Sequence, residues 1–279
     1  MTPILDWRRG CQRRSIDGGG SGWHTPSTAC RSRACLHRVL GLGSYHTSWA
    51  MLHRYRDVMV VPAREKLSGT VEMDETFIGG VKPGKRGRGA AGKVLVVGAI
   101  ERAPKGRRGF GRARMAIAQN AKSDALREFI TANIAPGSTV ISDALSSYPN
   151  ALAGPDYEHD PINIKQSGLQ AHQLLPGVHR LFSLSKRWLE GTHQGAVECD
   201  HLQSYLDEFI FRFNRRTAHQ RGLLFLRLLE RAVAADPIRY LDIVANPRPA
   251  DRPHRPPGPR SWPGTLAVDP LDRPWRTAK

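Results

Sequence analysis

Residues 70–78 read TVEMDETFI, and residues 93–101 read KVLVVGAIE. The first segment alternates, with Glu72, Asp74 and Thr76 on one face and Val71, Met73 and Phe77 mostly on the other. A period of two is that of a β-strand. The second segment is continuously apolar, as a strand covered on both faces must be. RARMAIAQ at 112–119 predicts a third strand, joined to the second by a basic, hairpin-like connection. SDALREFITANI predicts a helix with Ser123 at its start and Leu126, Phe129 and Ile130 as its apolar side. PGSTVISD predicts a fourth strand, ending at Asp143. Three meandering strands, a helix and a further strand make an α/β order.

That order matches a ribonuclease-H-like core with a mixed sheet and flanking helices. Before it, residues 36–59 predict a short helix, a Gly-containing turn and a longer helix with Ser44 as N-cap. Two helices around such a turn form either a helix-turn-helix or a plain hairpin. After it, residues 154–173 predict a loop with one short strand, PINIK, and a helix is expected over 178–190. In DHLQSYLDEFIFRFNRR, Leu202, Tyr205, Leu206, Phe209, Ile210 and Phe213 fall on one stripe, so this helix is expected to be amphipathic. RGLLFLRLLERAVAADP predicts a closing helix. The expected organisation is a poorly ordered segment at 1–35, a helix-turn-helix-like segment at 36–66, a catalytic domain at 67–235 and a Pro/Arg-rich tail at 246–279. Disorder is expected in the tail because nine of the twenty prolines lie there.

The chain carries 42 Lys and Arg against 25 Asp and Glu, a formal charge of +17 over 279 residues. Such an excess favours a polyanion, and nucleic acid is the usual one. No apolar run is long enough to span a bilayer, which sets a membrane partner aside. Cys11, Cys30, Cys35 and Cys199 form no C-x-x-C pair, so neither a zinc ribbon nor a disulfide framework is visible. A reduced cytoplasmic protein is expected.

Asp74 lies mid-strand and Asp143 ends another strand. Two carboxylates brought together repel unless a proton or a cation sits between them. Hard divalent ions take oxygen ligands, and a pair of them clamps the oxygens of an in-line phosphoryl displacement. Glu75 alternates to the far face and is expected to be structural. Lys85, Arg86 and Arg88 lie in a glycine-rich stretch and are expected to touch phosphates, which position DNA without reading its sequence. Arg187 is a further candidate DNA contact.

Five blocks, GTVEMDETFIGG, GKRGRGAAGK, GSTVISDALSSYP, SLSKRWLEGTHQGAV and HLQSYLDEFIFRFNRR, resemble the DDE transposases of bacterial insertion sequences, in the ISXO-type or IS fifteen-ninety-five branch. The resemblance runs from about Leu36 to about Val233. It implies an enzyme with a ribonuclease-H-like domain that cuts double-stranded DNA at the element ends and joins them to a target. It implies Mg²⁺ or Mn²⁺ as cofactor, at least a homodimer on DNA, and a bacterial cytoplasmic, nucleoid-associated location.

The resemblance implies a catalytic carboxylate at Asp74 and a second at Asp143. The third ligand, commonly a glutamate seven residues before a lysine, falls on His179, with Lys186 seven residues on. Thirty-five residues, 144–178, separate His179 from Asp143. A neutral imidazole ligates divalent ions but adds no charge, and it favours Mn²⁺ over Mg²⁺. Lys186 is expected to grip a phosphate. Family texture fades at both ends, which makes a truncated, catalytically inactive DNA-binding relative the alternative expectation.

Overall fold

The computed structural model describes residues 33–61, 64–79, 93–103, 109–193, 197 and 199–245. The basic stretch holding Lys85, Arg86 and Arg88, the first 32 residues and the Pro/Arg-rich tail lie outside them. The chain divides into two compact units at Met51/Leu52. In the first unit lie α1 (Arg33–Val39) and the start of α2 (Tyr45–Met59). Ser44 Oγ accepts the His46 N–H at 3.2 Å, satisfying one of the donors a helix start leaves open, as expected of an N-cap. Gly41, at φ 59°, makes the turn between the two helices in a conformation that side-chain-bearing residues avoid.

The second unit is built on a five-stranded mixed sheet of order β3-β2-β1-β4-β5. Its strands are β1 (Thr70–Ile78), β2 (Val94–Arg102), β3 (Phe110–Ala118), β4 (Ser138–Asp143) and β5 (Tyr157–Ile162). β1, β2 and β3 form an antiparallel meander. β4 runs parallel to β1, and β5 parallel to β4. This is the ribonuclease-H-like topology. The crossover from β3 to β4 carries α3 (Ser123–Asn133), and α4 (Ser147–Ala151) follows β4. Beyond β5 come the short α5 (Ile164–Ser167) and α6 (Ala171–Leu174), then α7 (Pro176–His193) and α8 (Leu202–Asn214). The chain continues through α9 (Arg221–Ala234) and α10 (Tyr240–Ala245).

Period two sorts the core into two layers. Val71, Met73, Val97, Ala99 and Val140 pack against Leu126, Phe129 and Ile130 of α3 and Tyr148 of α4. Val96, Ile100, Ala113, Met115 and Ile141 pack against Val178, Leu181 and Phe182 of α7 and Leu206, Phe209 and Ile210 of α8. β2 contributes to both layers, which is why its sequence is a continuous apolar run.

Three expectations need correction. β5 spans Tyr157–Ile162 rather than PINIK, and residues 164–167 are helical. YEHDPI has no apolar alternation because it is an edge strand, and charge and proline on an edge discourage pairing with other chains. α8 is not amphipathic in burial, because all nine residues from Leu202 to Ile210 are buried, including Gln203, Asp207 and Glu208. Two of its polar side chains serve the outer edge of β3. Asn214 Oδ1 accepts the Ala113 N–H at 2.8 Å, and Gln203 Oε1 accepts the Ile117 N–H at 2.9 Å. They supply partners that a sixth strand would otherwise provide. Finally, α9 buries only Leu228, with Leu223, Phe225 and Leu226 exposed, so it closes little of the core.

Candidate active site

The last paired rung between β1 and β4 joins Glu72 to Ile141. Asp74 and Asp143 lie two residues beyond it, each on its own strand. Period two therefore turns both toward the face that α7 covers. Across the other edge of β1, Asp74 pairs with Gly98. A β-carbon at Gly98 would stand 2.8 Å from Phe182 Cζ and nearer still to Cε1. The missing side chain lets α7 lie close against the sheet beside Asp74. Gly98→Ala is expected to cost about 1–3 kcal/mol by overpacking, measured by urea denaturation. A neutral result would mean that Phe182 swings aside freely.

α7 brings His179 to the strand acids, with Nε2 3.4 Å from Asp74 Oδ2. That approach lacks hydrogen-bond geometry, and Nε2 is buried with no hydrogen-bond partner among the described residues. Asp143 Oδ1 is buried in the same condition. An octahedral ion of the Mg²⁺ type sets neighbouring ligand atoms about 3 Å apart, so the separation suits two ligands of one ion. Lys186 lies further along α7, and its Nζ donates to Thr76 Oγ1 at 2.7 Å. Thr76 is the next residue after Asp74 on that face of β1. Arg187 is exposed on α7.

Glu75 departs from expectation. Its backbone position does alternate away, yet it, Asp74 and Asp143 each offer a carboxylate oxygen within 4.8 Å of the others. Among the described residues this is the one group of three or more such side chains close enough to hold an ion. Glu75 Oε1 accepts the Tyr148 hydroxyl at 2.6 Å. Burial, with Glu75 next, pushes the Tyr148 phenol well above its usual range, so it remains a donor. Residue spacing carries no trace of this pair, whose members are 73 positions apart.

The electrostatics fit a cation site. Burial, followed by the charges of Glu75 and Asp143, raises the Asp74 carboxyl from 3.8 to about 7, against a lowering hydrogen bond from the Glu75 N–H and the charge of Lys186. Burial and then the nearby His172 hold His179 below the usual histidine range, which keeps the imidazole in its neutral, ligating form. Lys186 is lowered by burial first and then by Lys93.

A family model described as the ISXO2-like transposase domain matches residues 66–214, more than half of the chain. The chain belongs to that family. The match begins just before β1 and ends with α8, so this transposase domain takes in the whole sheet and both helices on the His179 side. No curated protein matches. Among solved structures, the transposase domain is similar to a chain of the cryo-electron microscopy structure of a simian T-cell lymphotropic virus intasome in complex with the PP2A regulatory subunit B56 gamma. The identity is 12%, the TM-score 0.29, and the alignment covers 65% of each chain. Among the described residues no helix is long and apolar enough to cross a membrane.

Proposed function

We propose that this chain is a DDE-type transposase that cuts double-stranded DNA at the ends of its element and transfers the freed strand to a target. The observation that supports this best is the convergence of Asp74, Asp143 and His179 beyond the last β1–β4 rung, in a member of a transposase-domain family. Asp74, Asp143 and His179 would hold Mg²⁺ or Mn²⁺, with Glu75 near enough to add a carboxylate oxygen. Such ions supply Lewis-acid polarisation of the scissile phosphate and offset the charge that develops on it.

The chain's own residues do the rest. His179 is held neutral and can donate a lone pair without displacing a proton. Tyr148 orients Glu75 from the opposite layer through its hydroxyl. Lys186 keeps its ammonium beside Asp74 by way of Thr76 and is positioned to bind a non-bridging phosphate oxygen. Arg187, with Lys85, Arg86 and Arg88, adds phosphate contacts along the duplex. The +17 charge favours that duplex over neutral partners. Pairing of two element ends calls for at least two copies on DNA. The work is done at the bacterial nucleoid, in the cytoplasm.

The test is nicking of a duplex carrying candidate element ends, in Mg²⁺ and in Mn²⁺, by the wild type and by Asp74→Ala. The wild type is expected to nick only with a divalent ion and faster in Mn²⁺. Asp74→Ala is expected to lose at least about a thousandfold, or about 4 kcal/mol of transition-state stabilisation, while its salt-sensitive binding survives. Binding without cleavage in either ion would leave the reading of a catalytically inactive DNA-binding relative.

A further inference from the structure

His179 is the fourth residue of α7, in a helix end whose first N–H groups have no partner within the helix. Such an end frays unless something outside it accepts those hydrogens. A residue of β1 does so. Glu72 is fully buried, and its Oε2 accepts the N–H groups of Gly177 at 2.7 Å and Val178 at 3.0 Å. Its Oε1 accepts the Arg102 Nε–H at 2.6 Å. Arg102 in turn donates from Nη2 to the carbonyl of Leu174, two residues before α7 begins, at 3.1 Å. A β-carbon on Gly177 would stand 2.9 Å from Glu72 Oε2 and 2.7 Å from Phe110 Cε1, so the close approach requires glycine there.

We propose that Glu72 is a positioning residue, which fixes the start of α7 against β1 so that His179 faces Asp74. The proposal rests on the reading of His179 as a ligand. Glu72 shares its strand face with Asp74, two residues on, so one short stretch of β1 carries both a metal-site acid and the anchor for the helix opposite. Both Glu72 oxygens are taken by protein donors, which sets it apart from the ligands themselves. A negative group at a helix N-terminus also suits the helix dipole. Arg102 braces the same carboxylate from the far side, so the anchor is held from two directions.

The test uses the full chain, stripped of metal, and Mn²⁺ as the probe. Affinity is read by titration for the wild type, Glu72→Gln, His179→Ala and the double variant. Glu72→Gln is expected to weaken Mn²⁺ binding about tenfold, as loss of a group that orients a ligand commonly does. In the His179→Ala background the same change is expected to add nothing, because there is no imidazole left to position. Amide exchange at Gly177 and Val178 is expected to quicken in Glu72→Gln, while Val96–Ile100 in β2 keeps its wild-type protection. Should Glu72→Gln fail to fold, Arg102→Met perturbs the anchor from its partly exposed side, with the same pattern expected at a few-fold. Equal weakening in both backgrounds, or none in either, overturns the proposal. If His179→Ala alone leaves Mn²⁺ affinity unchanged, the ligand reading fails and takes the positioning role with it. The amide-exchange result then still reports separately on whether Glu72 anchors α7.

Discussion

Asp74→Asn is expected to abolish DNA cleavage and yet to melt at a higher temperature than the wild type, in EDTA at pH 8. The amide keeps the oxygen that accepts the Glu75 N–H at 2.7 Å and removes a charge the site cannot hold comfortably without a cation. The Asp74 carboxyl is raised from 3.8 to about 7. A folded-state value above the unfolded one means that the native protein binds the extra proton. Stability is therefore fully present below about pH 4 and is lost as pH rises through about 7. The loss is on the order of 2–4 kcal/mol, equivalent to roughly 5–15 °C in a domain of this size. Asp74→Asn lacks that slope, so the two proteins should melt alike near pH 4 and diverge by pH 8. Mn²⁺ should then raise the wild-type melting temperature strongly and the variant's little, because a ligand that binds only the native state stabilises by mass action. A flat wild-type profile in EDTA between pH 4 and 8 would show that the acids are not crowded and that the site is not built for a cation.

The parts of this fold that were legible in the sequence are those whose signal is local. β1 and β2 announce themselves by alternation and by an unbroken apolar run, and each is found within a residue of its expected span. β5 carries no such signal, because an edge strand meets solvent along one side and has no apolar row to display. α8 misleads for the opposite reason. Its polar residues look solvent-facing, but two of them meet partners supplied from elsewhere, the β3 backbone for Gln203 and Arg56 for Glu208. At the candidate site, Asp74 and Asp143 are visible as strand acids. The approach of His179 followed from family resemblance rather than from spacing. Glu72 was invisible as an anchor because its partners are backbone N–H groups, which any residues would supply. Gly98 looks like a flaw in a strand until Phe182 lies over it.

Glu208→Gln is expected to destabilise the fold by about 3–5 kcal/mol. Glu208 is buried on α8, where Oε2 accepts from Arg56 Nε at 2.8 Å and Oε1 from Arg212 Nη2 at 2.6 Å. Arg56, in the C-terminal half of α2, has a side chain only 3% exposed and lies with its guanidinium 4.1 Å from the centre of the Tyr205 ring. Neutralising Glu208 would strand that guanidinium without a counter-charge in a site that water does not reach. A loss of this size is a large part of what holds a domain folded. Burial pushes the Glu208 carboxyl up, but Arg56 and Arg212 outweigh it and hold the group below its ordinary value. The sign is therefore opposite to that of Asp74. The stabilisation is present above about pH 4.5 and fades as pH falls through the depressed folded value. Urea titrations at pH 7 and pH 3 should show a wide gap between Glu208→Gln and the wild type at neutral pH and a narrower one in acid. Arg56→Met combined with Glu208→Gln should lose less than the two single changes added together, because the second substitution removes the charge that the first leaves stranded. Additive losses would mean that Arg56 and Glu208 act separately, each through its packing. The two buried carboxyls thus tilt stability in opposite directions with pH. Asp74 weakens the metal-free fold toward alkali because burial and the neighbouring acids oppose its charge, whereas Glu208 weakens only in acid because its counter-ions are part of the fold.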